Sequence, residues 1–188
     1  MRVWEQLIDR SQYECSGLQE LYFTESAFRF IRIQCDVKFL TINANIEALY
    51  LTDSPEFDPK TSIVIPKQNI MPTEMLYNWE PPTAGGYISG EIINGHVRHK
   101  LDDRSSIINQ FSQPYVVGSV KLLLNYTSNY FIAISTDGQR FRHIKTERNV
   151  SGWRIVTFPK QPVMFIKIVG TKATSEMFRL HKLECPAV

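Results

Sequence analysis

Apolar and aromatic residues fall along this chain in short runs that read as strands. Phe28 to Ile33 is apolar at every position except Arg29 and Arg32. Ile46–Leu51, Tyr115–Leu124, Tyr130–Ser135, Arg154–Phe158 and Val163–Val169 are further runs rich in β-branched and aromatic residues, the types that suit a pleated, half-buried surface. Gly118 divides the longest run and predicts a bulge or bend. Asp137-Gly138 separates two runs and predicts a tight hairpin, because a type I′ turn needs positive φ at both central positions. Asn94-Gly95 offers the same chemistry. Helix signals are thin. Residues 1–9 can be written as an amphipathic turn or two, but Gln139–Lys145, its counterpart in the repeat described next, follows a hairpin turn. Strand is the reading for both. Many short strands punctuated by turns predict an antiparallel sandwich or barrel.

Part of the pattern occurs twice. Ser16-Gly17-Leu18, Tyr22-Phe23 and Phe30-Ile31-Arg32-Ile33 return about 135 residues later as Ser151-Gly152-Trp153, Thr157-Phe158 and Phe165-Ile166-Lys167-Ile168. That period is a domain length, far above the roughly 20–50 residues of a solenoid repeat. The second copy is preceded by patterned strand from Ile88 onward, the first only by Met1 and Arg2. The expected division is therefore a truncated C-terminal half-domain at 1–52, a linker at 53–87, and a complete sandwich at 88–186. Pro55, Pro59, Pro66, Pro72, Pro81-Pro82 and Gly85-Gly86 punctuate the linker, which holds one apolar run, Ile63-Val64-Ile65, as an opening strand of the second domain. The predicted core includes Phe131, Ile134, Val156, Phe158, Phe165, Ile166 and Ile168. In the half-domain, Trp4, Phe23, Phe28, Phe30 and Ile31 are expected to be partly exposed unless another surface takes them. The alternative is that this segment packs onto the complete module.

Composition narrows the function classes. Hydrophobic content of 43% can fill a core, and a net charge of +2 recruits no nucleic acid globally. No apolar run approaches the roughly 18 residues of a membrane span, and the N-terminus lacks a secretory h-region. Three cysteines without metal spacing, Cys15, Cys35 and Cys185, predict a reducing, cytoplasmic compartment. The sequons Asn125-Tyr126-Thr127 and Asn149-Val150-Ser151 point the other way, and the thiols are given the greater weight.

The densest polar cluster is Asn94, His96, Arg98, His99, Lys100, Asp102 and Asp103. Two histidines near carboxylates match zinc ligand types, but His-x-x-His shares a face only on a helix, which Asn94-Gly95 opposes. A surface loop is the preferred reading, with no metal and no cofactor. Arg142, His143, Lys145 and Arg148 sit beside aromatic residues as in single-strand grooves, yet Phe141 and Ile144 are better used in the core, so nucleic acid is excluded as the expected ligand. Asp102 and Asp103 are adjacent and would face opposite ways on a strand. No nucleophile elbow or phosphate-binding loop is present. Cys15 reads as a small buried hydrophobe. The chain is not expected to be an enzyme.

Tyr130-Phe-Ile132-x-Ile134-Ser135-x-Asp137-Gly138-x-x-Phe141-x-x-Ile144, Phe165-Ile166-Lys167-Ile168 and Phe178 to Cys185 together resemble the discoidin family, also called coagulation factor V/VIII type C domains. Gln113 to Leu124, Trp153 to Pro162, Phe165 to Thr171 and Trp4 to Ile33 are similar to the tandem discoidin region of intracellular BTB-domain adaptor proteins. The resemblance covers most of the chain outside the linker. It implies an all-β, antiparallel jelly-roll-like sandwich of the galactose-binding-like type, without catalysis, whose ligands meet loops at one end. Those loops correspond to Asn94–Ser106 and Asn125–Asn129, both shortened here, so Asn125, Tyr126, Ser128 and Asn129 join the candidate site residues. The implied function is a protein-binding module. In full-length relatives it accompanies a BTB domain, absent here, that engages a cullin-type ubiquitin ligase. A glycan- or lipid-headgroup-binding module is the alternative.

Overall fold

The computed structural model describes residues 4–13, 15, 18–35, 45–49, 55–71, 86–93, 95–102 and 104–186. Seven strands are formed in it: β1 (Gly86–Ser89), β2 (Glu91–Ile93), β3 (His96–Lys100), β4 (Ile107–Ser135), β5 (Arg142–Ala173), β6 (Met177–Leu180) and β7 (Lys182–Glu184). All pairs are antiparallel. One sheet joins β1, β4, β5 and β7, and the other runs β2-β3-β6. Among the described residues no helix is long and apolar enough to cross a membrane, which says nothing of a β-barrel.

Strands β4 and β5 are too long to lie in one plane, and their register shows where they turn. Residues 107–117 pair with 161–168, residues 119–124 with 152–157, and residues 128–135 with both 165–173 and 142–150. The register slips between Val117 and Ser119, so Gly118 marks the irregularity its sequence position predicted. Stretch 119–124 also pairs with β7, and His181 N–H bonds Leu123 O at 2.9 Å, carrying β6 into β7. The chain thus passes between layers at 125–127, 150–152 and 158–161.

Period-2 alternation supplies the core. Val97, Val120, Leu122, Leu124, Val156, Phe178, Leu180 and Leu183 meet Ile107, Tyr130, Ile132, Ile134, Ile166 and Ile168 in one buried cluster. Burying each such side chain contributes about 1.5–3 kcal/mol. Ile134, Val156, Ile166 and Ile168 sit in this core as expected. Phe158 packs on its margin. Phe165 is buried but meets Phe141 edge-on, outside the main cluster. Phe131 departs from expectation: it is half-buried and its ring tilts against His143. Alternation with the inward Tyr130 and Ile132 turns it outward.

Tyr130 is fully buried and its hydroxyl donates to Glu147 Oε2 at 2.5 Å. Arg154 grips the same carboxylate with two bonds of 2.9 Å. The guanidinium holds Glu147 below the usual carboxylate range, and burial pushes the Tyr130 phenol upward. This bridge spans 128–135, 142–150 and 152–157, so one polar group is satisfied at each side of the layer crossing.

Two further expectations are corrected. Residues 4–9, 28–33 and 46–49 form no strand; the remaining positions of those runs lie outside the described residues. A strand needs a neighbour for its backbone groups, and among the described residues none runs beside these stretches. The segment docks by polar bonds instead. Arg10 donates to Thr61 O and Ser62 O at 3.1 and 2.7 Å, and Gln19 Nε2 to Ser112 O at 2.7 Å. Buried Gln113 accepts from Glu20 N–H at 2.8 Å. Trp4, Phe28, Phe30 and Ile31 are exposed, and Phe23 is half-buried.

The second correction concerns the hairpin at Asp137-Gly138. Only Gly138 has positive φ, 69°, so the turn is not type I′. Asp137 Oδ1 accepts from the N–H groups of Gln139 and Arg140, while Ser135 Oγ accepts from those of Asp137 and Gly138. Side-chain oxygens replace the mirror-image backbone turn.

Residues 55–71 contribute to the sandwich. Val64 bridges Phe57 and Tyr115, and Ile63, Val64 and Met71 are buried. Asn69 Oδ1 accepts the Cys185 N–H at 2.8 Å.

Candidate functional site

Strand register brings several loops to one end. β3 leads from His96 toward Lys100, which lies opposite Met177. Ser128 lies opposite both Val150 and Ala173. Residues 101–102, 104–106 and 174–176 therefore lie at one end and 135–142 at the other. The loop expected at Asn125–Asn129 is instead a register-shifted bend within β4, beside the 150–152 stretch of β5 at the first end, and the 158–161 stretch of β5 lies at the second.

The outer face of β3 and β6 leads to the 125–129 loop. His96 and His181 lie on adjacent strands with ring centroids 5.8 Å apart and planes inclined by 19°. Asn125 Nδ2 donates to His181 Nδ1 at 3.3 Å. The Arg179 guanidinium sits over the Tyr126 ring, 5.1 Å from its centroid, and Tyr126 remains 40% exposed. Asn125, Tyr126, His96, Arg179 and His181 thus share one surface. Two histidines fall short of a metal ligand set, and no cluster of three metal-ligating side chains occurs among the described residues.

The other candidates play different parts. Arg98 forks onto Glu91 with two bonds of 2.8 Å, and that hydrogen-bonded pairing lowers the Glu91 carboxyl and raises the guanidinium. Lys100 is exposed at the end of β3. Asp102 accepts from Arg104 N–H and Ser105 N–H at 3.0 and 2.6 Å, shaping its own loop. Asn94 and Asp103 lie outside the described residues.

His99 belongs to the interior, 5% exposed. Its Nε2 accepts the Gly170 N–H at 2.9 Å, and its Nδ1–H donates to Lys100 O at 2.6 Å. Both ring nitrogens of a neutral imidazole are engaged, and burial lowers its pKa. The surface loop expected here is corrected: His96–Lys100 is strand β3, and opposite parity to His96 turns His99 inward, where it cements the layers instead of joining the candidate binding surface. Ser128 is also buried, its hydroxyl donating to Tyr126 O at 2.9 Å.

On the far side of the 125–129 loop a cavity of about 330 Å³ is lined by Thr127, Ser128, Asn129, Arg148, Asn149, Lys172, Ala173 and Thr174. Asn129 Oδ1 accepts the Asn149 N–H at 2.7 Å, and Thr174 N–H donates to Thr127 O at 3.0 Å. Asn149 holds φ at 55°, a left-handed conformation in which Asn is enriched. Sequence reasoning missed Arg148, Lys172, Arg179 and His181 as neighbours of this loop. For Arg179 and His181 a signal existed: Phe178, Leu180 and Leu183 mark the inward positions of the closing strands.

No family model matches the chain. Its sequence aligns over 97% of its length with BTB/POZ domain-containing protein 9 of Drosophila melanogaster, at 31% identity, covering 27% of that protein. The Homo sapiens protein of the same name is 30% identical over 97% of this chain and 32% of its own length. The chain is related to one stretch of BTB/POZ domain-containing protein 9. It spans less than a third of those curated relatives. Among solved structures, a chitosan-binding module from Paenibacillus sp. IK-5 shares 16% identity at a TM-score of 0.49, over 63% of this chain and 97% of that one. CBM32-1 of a Clostridium perfringens family 31 glycoside hydrolase gives 17% and 0.42, over 59% and 92%.

Proposed function

We propose that this chain is a non-catalytic interaction module that binds a protein partner through the loop end of its sandwich. The observation that carries this reading is the convergence of Asn125 and Tyr126 with His96, Arg179 and His181 on an outward surface. Loops fixed on a rigid sheet are where binding residues concentrate, and Tyr and Arg are enriched among the residues that dominate protein interfaces. Kinship with a BTB/POZ protein supports an adaptor role, in which this region recruits a partner and a BTB domain elsewhere in the parent architecture engages a cullin-type ubiquitin ligase. Three unpaired cysteines, one of them exposed, support a reducing, cytoplasmic setting.

The glycan reading draws on exposed Tyr126 beside Asn125, but Arg179 occupies a face of that ring, which a sugar would need. The test places a photo-cross-linking benzophenone residue at position 126 or, at the opposite end, at position 139, in cells. The protein-binding reading expects a discrete adduct from 126 and none from 139. Equal adducts, or adducts from 139 alone, contradict it. Saturable binding of neutral oligosaccharides on an array, abolished by Tyr126→Ala, would favour the glycan reading.

A further inference from the structure

We infer that the cavity beside the 125–129 loop receives an acidic group of the protein partner, a carboxylate or a phosphorylated hydroxyl, between Arg148 and Lys172. This rests on the reading that a protein binds at the loop end, and it names what that end recognises.

The lining decides the chemistry. Its eight residues include two cations, two carboxamides and three hydroxyls, with Ala173 the one apolar side chain and no carboxylate. A volume of about 330 Å³ lies near the low end of the roughly 300–1,000 Å³ typical of ligand pockets and suits a side-chain-sized group.

The neighbouring charges point the same way. Glu147 is bound by Arg154 and Tyr130, Glu91 by Arg98, and Asp102 by backbone N–H groups. Among the described residues no ion pair joins Arg148 or Lys172 to any carboxylate. No carboxylate lines the cavity, and Glu176, exposed on the neighbouring 174–176 turn, makes no ion pair with either cation. Arg148 supplies a planar fork that matches a carboxylate or phosphate, and Lys172 a point charge with three donors. Because Asn129 Oδ1 is taken by Asn149 N–H, its NH₂ group is the end left to donate. The bonds that tie 127–129 to 149 and 174 fix both rims before any ligand arrives, which lowers the entropic cost of binding.

The test uses the ¹⁵N-labelled 188-residue chain titrated separately with N-acetyl-phosphoserine amide, N-acetyl-glutamate amide and N-acetyl-glutamine amide. Saturable shifts at 127–129, 148–149 and 172–174 are expected with the acidic probes, about tenfold weaker with the neutral one, given the greater strength of charge-assisted bonds. The tighter acidic probe distinguishes phosphate from carboxylate. The double variant Arg148→Gln/Lys172→Gln, both surface positions, should lose this response while its remaining spectrum stays that of the parent. Three indistinguishable probes, or a double variant that still responds, overturn the inference. If that occurs while the cross-link from position 126 still forms, the loop-end reading stands without it. If the acidic response is intact but position 126 yields no adduct, the cavity remains an anion site and the protein-binding reading falls.

Discussion

Substituting Gly170 by Ala should unfold much of the sandwich's stability margin. A Cβ at this position would lie 2.2 Å from Phe178 Cγ and 2.3 Å from its Cβ and Cδ2. Non-bonded carbons rest about 3.5–4.0 Å apart, so the overlap exceeds an ångström and is with the root of the ring. Phe178 has nowhere to go. It is fully buried, with its ring 5.2 Å from that of His99 and 6.1 Å from that of Tyr130. Any shift of Gly170 also pulls its N–H from His99 Nε2. Overpacking costs about 1–3 kcal/mol when neighbours can adjust, and outright loss of a buried Phe about 3–5 kcal/mol. The expectation is therefore a loss of about 3–5 kcal/mol, read by urea denaturation with the slope m unchanged. In the Gly170→Ala background, Phe178→Leu should cost much less than it does alone, since contacting residues couple. A loss under about 1 kcal/mol, or strict additivity of the pair, would refute the proposed packing of these layers.

Three further outcomes follow from the same geometry. His99 is neutral and buried, so its folded pKa lies below the unfolded value of about 6.5; its contribution is present above that value and lost as pH falls through the folded pKa, and chemical melts from pH 7.5 to 5.5 should show a decline that His99→Gln flattens. Tyr130→Phe removes the hydroxyl from Glu147 and should cost about 1.5–3 kcal/mol, the range for bonds to charged groups, with a smaller loss in an Arg154→Met background if the three side chains act as one network. Cys185, buried with its thiol pushed up to about 12, should resist thiol reagents until denaturation, while exposed Cys35 reacts at once; fast labelling of Cys185 in the native chain would contradict its burial.

Much of the sandwich was legible in local alternation. Ile134, Val156, Ile166 and Ile168 face inward as expected, while Phe131 yields the inward place to Tyr130 and Ile132, and the bulge announced by Gly118 falls where the register slips. The role of His99 was not legible, because a dense run of polar residues reads as a surface loop, whereas on strand β3 His99 and His96 face opposite ways and His99 turns inward. The apolar runs of the N-terminal segment misled for the opposite reason. Phe28–Ile33 has strand composition, but composition reports fitness for a sheet rather than the presence of a neighbour. The cavity was beyond local reading. Arg148 and Lys172 are 24 residues apart, and they meet only because Ser128 pairs with both Val150 and Ala173. Long-range register of that kind leaves no mark in any short window.

The central claim is that recognition occurs at the loop end, and affinity for the partner identified by cross-linking tests it most directly. Calorimetric titrations would compare the parent chain with Asn125→Ala/Tyr126→Ala at that end and Gln139→Ala/Arg140→Ala at the other. The account predicts a loss of about tenfold or more for the first pair, as for residues at the centre of an interface, and a change within about twofold for the second. Unchanged affinity in the first pair, with a large loss in the second, would place the binding surface at the wrong end of the molecule.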